Sequence, residues 1–326
     1  MVDVIEAIRR QSREHPTSTA VAGTEFELSY RELIELIDSE ALQLSRTGHR
    51  TIAIAADNGP GWIVYDLAAR VAGLTVVPLP TFFSAKQCSH VISDARVDAV
   101  VLDRAGESTL GNLIDEYHHA ACGLRLARIR QADRLCSAPR PAKLSYTSGT
   151  TGTPKGVELS WVAMNRVANA ISYVTQPLQI SRHTCLLPFG LLLENVAGVY
   201  AALISGATVV CPSISAAGAS MTGFVDGHRI LQTLAQTRAD SAIMLPQLLE
   251  ATVEALESGL PCPALSFVAV GGAKTPAAVL QRARATGLPV FEGYGLTECG
   301  SVVCLNVPGI DRTGSVGRPL PHANVR

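Results

Sequence analysis

The chain has 326 residues, enough for one large domain or two ordinary ones, and its 47% hydrophobic against 17% charged residues leave ample material for a buried core. Twenty-seven Lys and Arg stand against 28 Asp and Glu, a formal net charge of -1, which gives no electrostatic basis for nucleic acid or an anionic membrane as partner. The eight cysteines form no Cys-x-x-Cys pair and no cluster with zinc-ligand spacing, so free thiols in a reducing compartment are expected.

The first residues, Met1 to Glu6, lack the basic-then-apolar pattern of a signal peptide. From Thr51 the chain alternates short β-rich runs with amphipathic segments. Thr51–Ala56 reads as a buried strand, Trp62–Val71 as a helix, Thr75–Leu79 as a strand, Ser84–Asp94 as a helix and Asp98–Leu102 as a third strand. This βαβαβ rhythm predicts parallel pairing with right-handed crossovers. Arg125, Arg128, Arg130 and Arg134 read as a solvated face, and Arg134 to Pro141 as a linker. Beyond a loop of hydroxyls and glycines the rhythm resumes: a helix over Trp161–Tyr173, then strands over Thr184–Leu187, Ala207–Cys211, Ser241–Leu245, Leu265–Val270 and Pro289–Phe291. An apolar helix is expected between the first two of these strands. The longest apolar stretch, Val196 to Val210, is broken by Gly and Ser and falls short of the ~20 residues of a membrane span. A cytoplasmic protein without a transmembrane segment is the expectation.

The loop after Leu144–Thr147 carries the functional argument. Tyr146 to Gly156 reads Tyr-Thr-Ser-Gly-Thr-Thr-Gly-Thr-Pro-Lys-Gly. Glycines let the backbone approach a ligand closely. Hydroxyls and successive amides can wrap phosphate oxygens, and Lys155 adds a point charge. This is not a Walker A loop: counted from Gly149, Pro154 takes the second-glycine position and Gly156 follows the lysine. A helix therefore need not begin at the lysine, and a magnesium ion must find another ligand.

A second constellation, Gly293 to Glu298, places an aromatic, tight backbone, a hydroxyl and a carboxylate within six positions. An aromatic face suits adenine, and a carboxylate beside a phosphate site suits Mg²⁺. Alone, the segment is equally compatible with a core tyrosine and a solvated loop charge. Gly271 and Gly272 follow the strand ending at Val270, as a strand-ending turn or as close backbone beside a ligand.

The Tyr146–Gly156 segment resembles the phosphate-binding signature of the acyl-adenylate-forming (AMP-binding) superfamily, and the likeness is closest to fatty acyl-CoA synthetases. Phe26 to Leu33 resembles that family's opening segment, Gly271 to Lys274 its nucleotide-flanking loop, Glu292 to Glu298 its second signature and Gly314 to Pro319 the segment that follows. The resemblance implies an α/β fold of two doubly wound βαβ subdomains, approximately 50–180 and 1–49 plus 181–326. These would form the N-terminal adenylation domain, ending before its barrel is complete and without the small C-terminal domain. The family's Thr-Gly-Asp and its lid lysine have no counterpart here; Arg312-Thr-Gly314 continues with Ser315 instead of Asp.

By the same resemblance, Thr147, Ser148, Gly149, Thr150, Thr151, Gly152 and Lys155 would hold ATP phosphates. Gly271, Gly272, Ala273, Glu292, Gly293, Tyr294, Gly295 and Thr297 would line the nucleotide, and Glu298 would bind Mg²⁺. Thr147, Lys155 and Glu298 are the expected catalytic set, acting by position and charge without a covalent nucleophile. The segment Leu187 to Asn195 lines the family's acid pocket, with Leu191, Glu194, Gly272 and Gly295 as candidate substrate residues. Leu191 stands where many fatty-acyl members carry histidine, and no Asp is present to pair a substrate amine. A fatty or other hydrophobic carboxylic acid is therefore favoured over an α-amino acid. The implied product is an acyl-AMP, passed to CoA or to an acyl carrier protein. A non-catalytic nucleotide- or acyl-binding module is the alternative of a different class. A nicotinamide-dependent oxidoreductase is disfavoured, because no Gly-x-Gly-x-x-Gly follows the first strand.

Overall fold

The run Thr51-Ile-Ala-Ile-Ala is buried at every position, which requires a sheet covered on both faces. The computed structural model describes residues 1–130, 141–147, 154–220 and 223–325, and its two sheets are built around such runs.

In chain order, α1 (Val4–Glu14) is followed by β1 (Thr19–Gly23), β2 (Glu27–Ser29) and α2 (Tyr30–Arg46). Then come β3 (Thr51–Ala55), α3 (Pro60–Val71), β4 (Thr75–Pro78), α4 (Ala85–Asp94), β5 (Ala99–Leu102) and α5 (Arg104–Leu110). A hairpin of β6 (Ile114–Ala121) and β7 (Leu124–Ile129) precedes β8 (Lys143–Thr147), β9 (Lys155–Leu159) and α6 (Trp161–Thr175). Next are β10 (Arg182–Thr184), a π-helix over Leu193–Tyr200 that runs into α7 (Ala201–Ser205), and β11 (Thr208–Cys211). The remainder is α8 (Gly227–Gln236), β12 (Ser241–Met244), α9 (Pro246–Glu257), β13 (Phe267–Val270), α10 (Ala277–Ala285), β14 (Val290–Leu296), β15 (Ser301–Leu305) and β16 (Arg318–Pro319).

Seven strands form one sheet in the order β6-β7-β5-β3-β4-β8-β9, and nine form the other as β16-β15-β14-β13-β12-β10-β11-β1-β2. The central strands of each pair in parallel, as their apolar runs predict. The edges turn antiparallel at β6–β7, β8–β9, β14–β15 and β1–β2. No closed barrel forms among the described residues, so the class is mixed α/β with two sheets.

Local chemistry sets the helix starts. Ser29 with Glu32 and Ser84 with Gln87 make reciprocal capping boxes at α2 and α4, and Pro60 opens α3 at a position where its missing N–H is not needed. The expected strand Thr184–Leu187 lies two residues earlier, at Arg182–Thr184. The amides of Leu186 and Leu187 leave the ladder because both donate to the carboxylate of Glu194, at 3.2 and 2.9 Å. Of the basic cluster, Arg125 pairs with Glu107 and Arg130 with Asp115 on the exposed hairpin, while Arg134 and most of the expected linker lie outside the described residues. Among the described residues every cysteine is a free thiol, and no helix is long and apolar enough to cross a membrane.

Candidate nucleotide and acid site

Strand β8 delivers Thr147 to the mouth of the loop, and β9 takes the chain back from Lys155. The two strands pair antiparallel from Lys143↔Leu159 to Thr147↔Lys155. The strands on either side of the phosphate-type loop therefore pair as a β-hairpin, and its lysine rides on a strand, where a Walker A lysine would open a helix. Helix α4 anchors the shoulders of this hairpin. Tyr146 Oη donates to Asp94 Oδ2 at 2.6 Å, and His90 Nε2 lies 3.1 Å from the carbonyl oxygen of Pro154. Burial and the neighbouring Asp94 carboxylate push the Tyr146 hydroxyl above its usual range. A Cβ at Gly156 would meet the Tyr146 ring at 3.0 Å, so glycine lets the ring lie across its partner strand. Ser148, Gly149, Thr150, Thr151 and Gly152 lie outside the described residues.

Beside the hairpin opens a cavity of about 600 Å³. One wall carries Thr147, Gly271, Gly272, Gly293, Tyr294, Gly295, Thr297 and Glu298; the other carries Phe82, Leu191, Leu192, Leu193 and Leu245. Gly272 sits at φ +81°, and a Cβ there would lie 2.6 Å from Leu245. Gly295 closes on the neighbouring strand: its Cβ would fall 2.0 Å from the Ser301 carbonyl oxygen, at the irregular step in the β14–β15 pairing. Tyr294 and Glu298 are exposed. Glu298 makes no hydrogen bond and no ion pair among the described residues, and it is the one carboxylate among the described residues that line the cavity.

Other expected residues fall elsewhere. Lys155 is exposed at the start of β9, and Ala273 is exposed beyond Gly272; neither lines the cavity. Glu292 contributes its backbone carbonyl, which accepts from the amide and side chain of Asn306, each at 3.0 Å.

Glu194 is a correction. Expected at the substrate, it is completely buried and its carboxylate is already occupied. Oε1 lies 2.9 Å from His183 Nε2, and Oε2 accepts the two backbone amides before Pro188. Its place in the sequence matches the pocket segment, but the wide turns of the π-helix direct it away from the cavity and toward β10.

Sequence reasoning also missed a buried polar set behind the cavity wall. Lys143 Nζ, fully buried, lies 2.8 Å from Asp66 Oδ1 and donates to Asn195 Oδ1 at 2.5 Å and Tyr200 Oη at 3.0 Å. Tyr200 Oη donates to Asp66 Oδ2 at 2.5 Å, as does Asn195 Nδ2 at 3.1 Å. Burial holds the Lys143 ammonium below the usual lysine range, and Asp66 opposes that shift. The available signal was Asp66, a carboxylate between Tyr65 and Leu67 in a largely apolar helix.

The chain matches the AMP-binding enzyme family over residues 8–326 and belongs to that family. It is 26% identical, over 95% of its length, to the 2-succinylbenzoate–CoA ligase of Bacillus velezensis, and spans 63% of that protein. It is 27% identical, over 99% of its length, to the medium/long-chain-fatty-acid–acyl-carrier-protein ligase FadD10 of Mycobacterium tuberculosis, again spanning 63% of the relative. Tyrocidine synthase 3 of Brevibacillus parabrevis is 27% identical over 90% of the chain, which is 4% of that much longer protein. Among solved structures, VinN in complex with L-aspartate superposes with a TM-score of 0.78 at 20% identity, covering 98% of this chain and 82% of VinN. The o-succinylbenzoate CoA synthetase MenE of Bacillus subtilis, in complex with its acyl-adenylate intermediate, gives 0.74 at 23% identity, covering 97% and 64%. These likenesses establish the fold.

Proposed function

We propose that this chain forms the nucleotide- and acid-binding part of an enzyme that activates a carboxylic acid as its adenylate. One observation carries the reading. A single cavity of about 600 Å³ joins the end of the phosphate hairpin, the glycine backbone and Glu298 on one side to an apolar wall on the other. An acid and a nucleotide held there would meet between the two walls. A carboxylate oxygen forms a bond to the α-phosphorus of ATP, the bond from that phosphorus to the bridging oxygen breaks, and pyrophosphate leaves with the electron pair. The protein need only hold the reactants in line and neutralise charge.

In this reading Thr147, Ser148, Gly149, Thr150, Thr151, Gly152 and Lys155 bind phosphates, and Tyr294 offers its ring to adenine. Gly271, Gly272, Gly293, Gly295 and Thr297 supply close backbone and a hydroxyl. A divalent ion fits the donor present: Glu298 is exposed at the cavity and has no partner among the described residues, and Mg²⁺ favours oxygen ligands with one or two carboxylates. When bound, Mg²⁺ would neutralise phosphate charge. Phe82, Leu191, Leu192, Leu193 and Leu245 favour an apolar acid, fatty or otherwise hydrophobic. CoA or an acyl carrier protein is the acceptor in the completed reaction, and the relatives named for CoA and for carrier-protein ligation support both.

The test is acid-dependent exchange of pyrophosphate into ATP, screened over fatty, aromatic and amino acids with the natural full-length protein. Exchange with an apolar acid is the expected result. No exchange with any acid would remove the enzymatic reading and leave a binding module.

A further inference from the structure

Asn58, Trp62, Asp66 and Arg70 recur at four-residue spacing along α3 and its N-terminal approach, so they line one side of it. Asn58, Trp62 and Asp66 all reach the segment Leu187–Tyr200 from the other half of the molecule, and Arg70 pairs with Asp3. Asn58 Nδ2 donates to the Leu187 carbonyl at 2.8 Å, and Asn58 Oδ1 accepts from the Phe189 amide at 2.9 Å. Trp62 packs on the Phe189 ring, with centroids 5.3 Å apart. Asp66 takes Asn195, Tyr200 and Lys143, as described above. Arg70 lies over Trp161 at 4.7 Å. The stripe thus grips both ends of the segment that carries Leu191, Leu192 and Leu193 into the cavity.

Lys143 sits at the centre of this grip. It is the first residue of β8, the strand that ends at Thr147 in the phosphate hairpin. Its ammonium lies 5.7, 5.6 and 5.2 Å from the rings of Trp62, Trp161 and Tyr200. Replacing both members of a buried ion pair by apolar side chains of similar volume is often neutral or stabilising, so the pair here is better explained by specificity than by stability. The physical reason is geometric. Were β8 to slide past the π-helix, Lys143 would lose its bonds to Asn195 and Tyr200, and were it to slide past α3, the ion pair would part in a dry interior, so the three elements are constrained to move together.

We propose that Lys143 is a positioning residue that couples nucleotide binding at the β8–β9 hairpin to the placement of the apolar acid-binding wall. This rests on the reading of the cavity given above. Lys143 touches neither reactant. It acts through Asn195 and Tyr200 on the π-helix and through Asp66 on the α3 stripe.

The chain's two tryptophans are Trp62 and Trp161, and both flank Lys143, so intrinsic fluorescence reports on this network. MgATP, a non-hydrolysable ATP analogue and octanoate serve as probes, with calorimetry supplying affinities. In the unaltered protein, nucleotide shifts the tryptophan emission and tightens octanoate binding by ~5-fold or more, the ordinary size of a coupling between sites. The paired substitution Lys143→Met with Asp66→Asn removes both charges together. It should reduce that coupling to less than ~2-fold while nucleotide affinity alone stays within ~3-fold. Tyr200→Phe deletes one hydroxyl and should lower the coupling in part, which keeps the test available if the paired variant does not fold. A merely structural Lys143 would leave the coupling intact in every folded variant, and that result, or bound nucleotide with unchanged emission in the unaltered protein, overturns the proposal. Calorimetry that finds no nucleotide binding removes the reading of the cavity and the coupling with it, and so is told apart from a failure of the coupling alone.

Discussion

Replacing Asp66 with Asn separates charge from shape in the buried network. The amide can keep partners at Tyr200 and Asn195, but it no longer neutralises the ammonium 2.8 Å away. Breaking one side of a buried pair costs about 3–5 kcal/mol. The retained hydrogen bonds and the three rings around Lys143 place this variant at the lower end, about 3 kcal/mol. At roughly 2–4 °C per kcal/mol, Tm should fall by about 6–12 °C near neutral pH. The pH dependence follows from Lys143. Burial already holds its folded pKa below 10.5, and Asp66 is the influence that opposes burial. Without Asp66 the folded pKa drops further. Between that value and 10.5 the unfolded chain binds more protons than the folded one, so stability rises with pH. The Tm deficit should therefore be largest near neutrality and narrow as pH rises toward that of free lysine. Scanning calorimetry of both proteins at several pH values measures it. A neutral-pH deficit under ~2 °C, or one that widens with rising pH, would refute the reasoning.

Three further outcomes concern the cavity. Glu298→Ala removes an exposed carboxylate without a described partner, so Tm should stay within the shift of about 0.5 kcal/mol expected of a surface change, while Mg²⁺-dependent exchange falls ~100-fold or more; paired melting curves and exchange rates decide it. Gly272→Ala places a Cβ 2.6 Å from Leu245 at φ +81°, so the apolar wall must yield and the KM for acid should rise more than the KM for ATP. Gly295→Ala forces β14 from β15, with the new Cβ 2.0 Å from the Ser301 carbonyl oxygen. A loss of ~3 kcal/mol or more is expected by denaturant titration, and a loss below ~1 kcal/mol would mean the strands part easily.

The central strands were legible because continuous apolar runs have few other uses, and Thr51–Ala55, Thr208–Cys211 and Phe267–Val270 lie close to where their patterns put them. The glycine segments at 271–272 and 293–295 were legible as places where backbone must approach something closely. What local pattern could not reveal was partnership across distance. Glu194 looked like a substrate residue because the segment Leu187 to Asn195 resembles the family's acid pocket; only the fold shows that it serves the amides of Leu186 and Leu187. Asp66 and Lys143 are 77 positions apart in number and meet only where α3 covers the sheet that carries β8. The antiparallel return of β9 was likewise invisible, since a strand of mixed burial carries no strong alternation.

That return gives the hairpin the properties of a ruler. Residues directly opposite in an antiparallel pair project to the same face, and Thr147 and Lys155 are such a pair. The register of β9 against β8 therefore decides on which face the lysine stands. A deletion in the connection that slips this register by one residue turns the lysine to the opposite face, while a slip of two restores its side. Strand register and charge placement are thus one variable in this molecule. A lysine borne on a helix, which turns by about 100° per residue, would respond to such deletions by rotation, whereas this one responds by reversal.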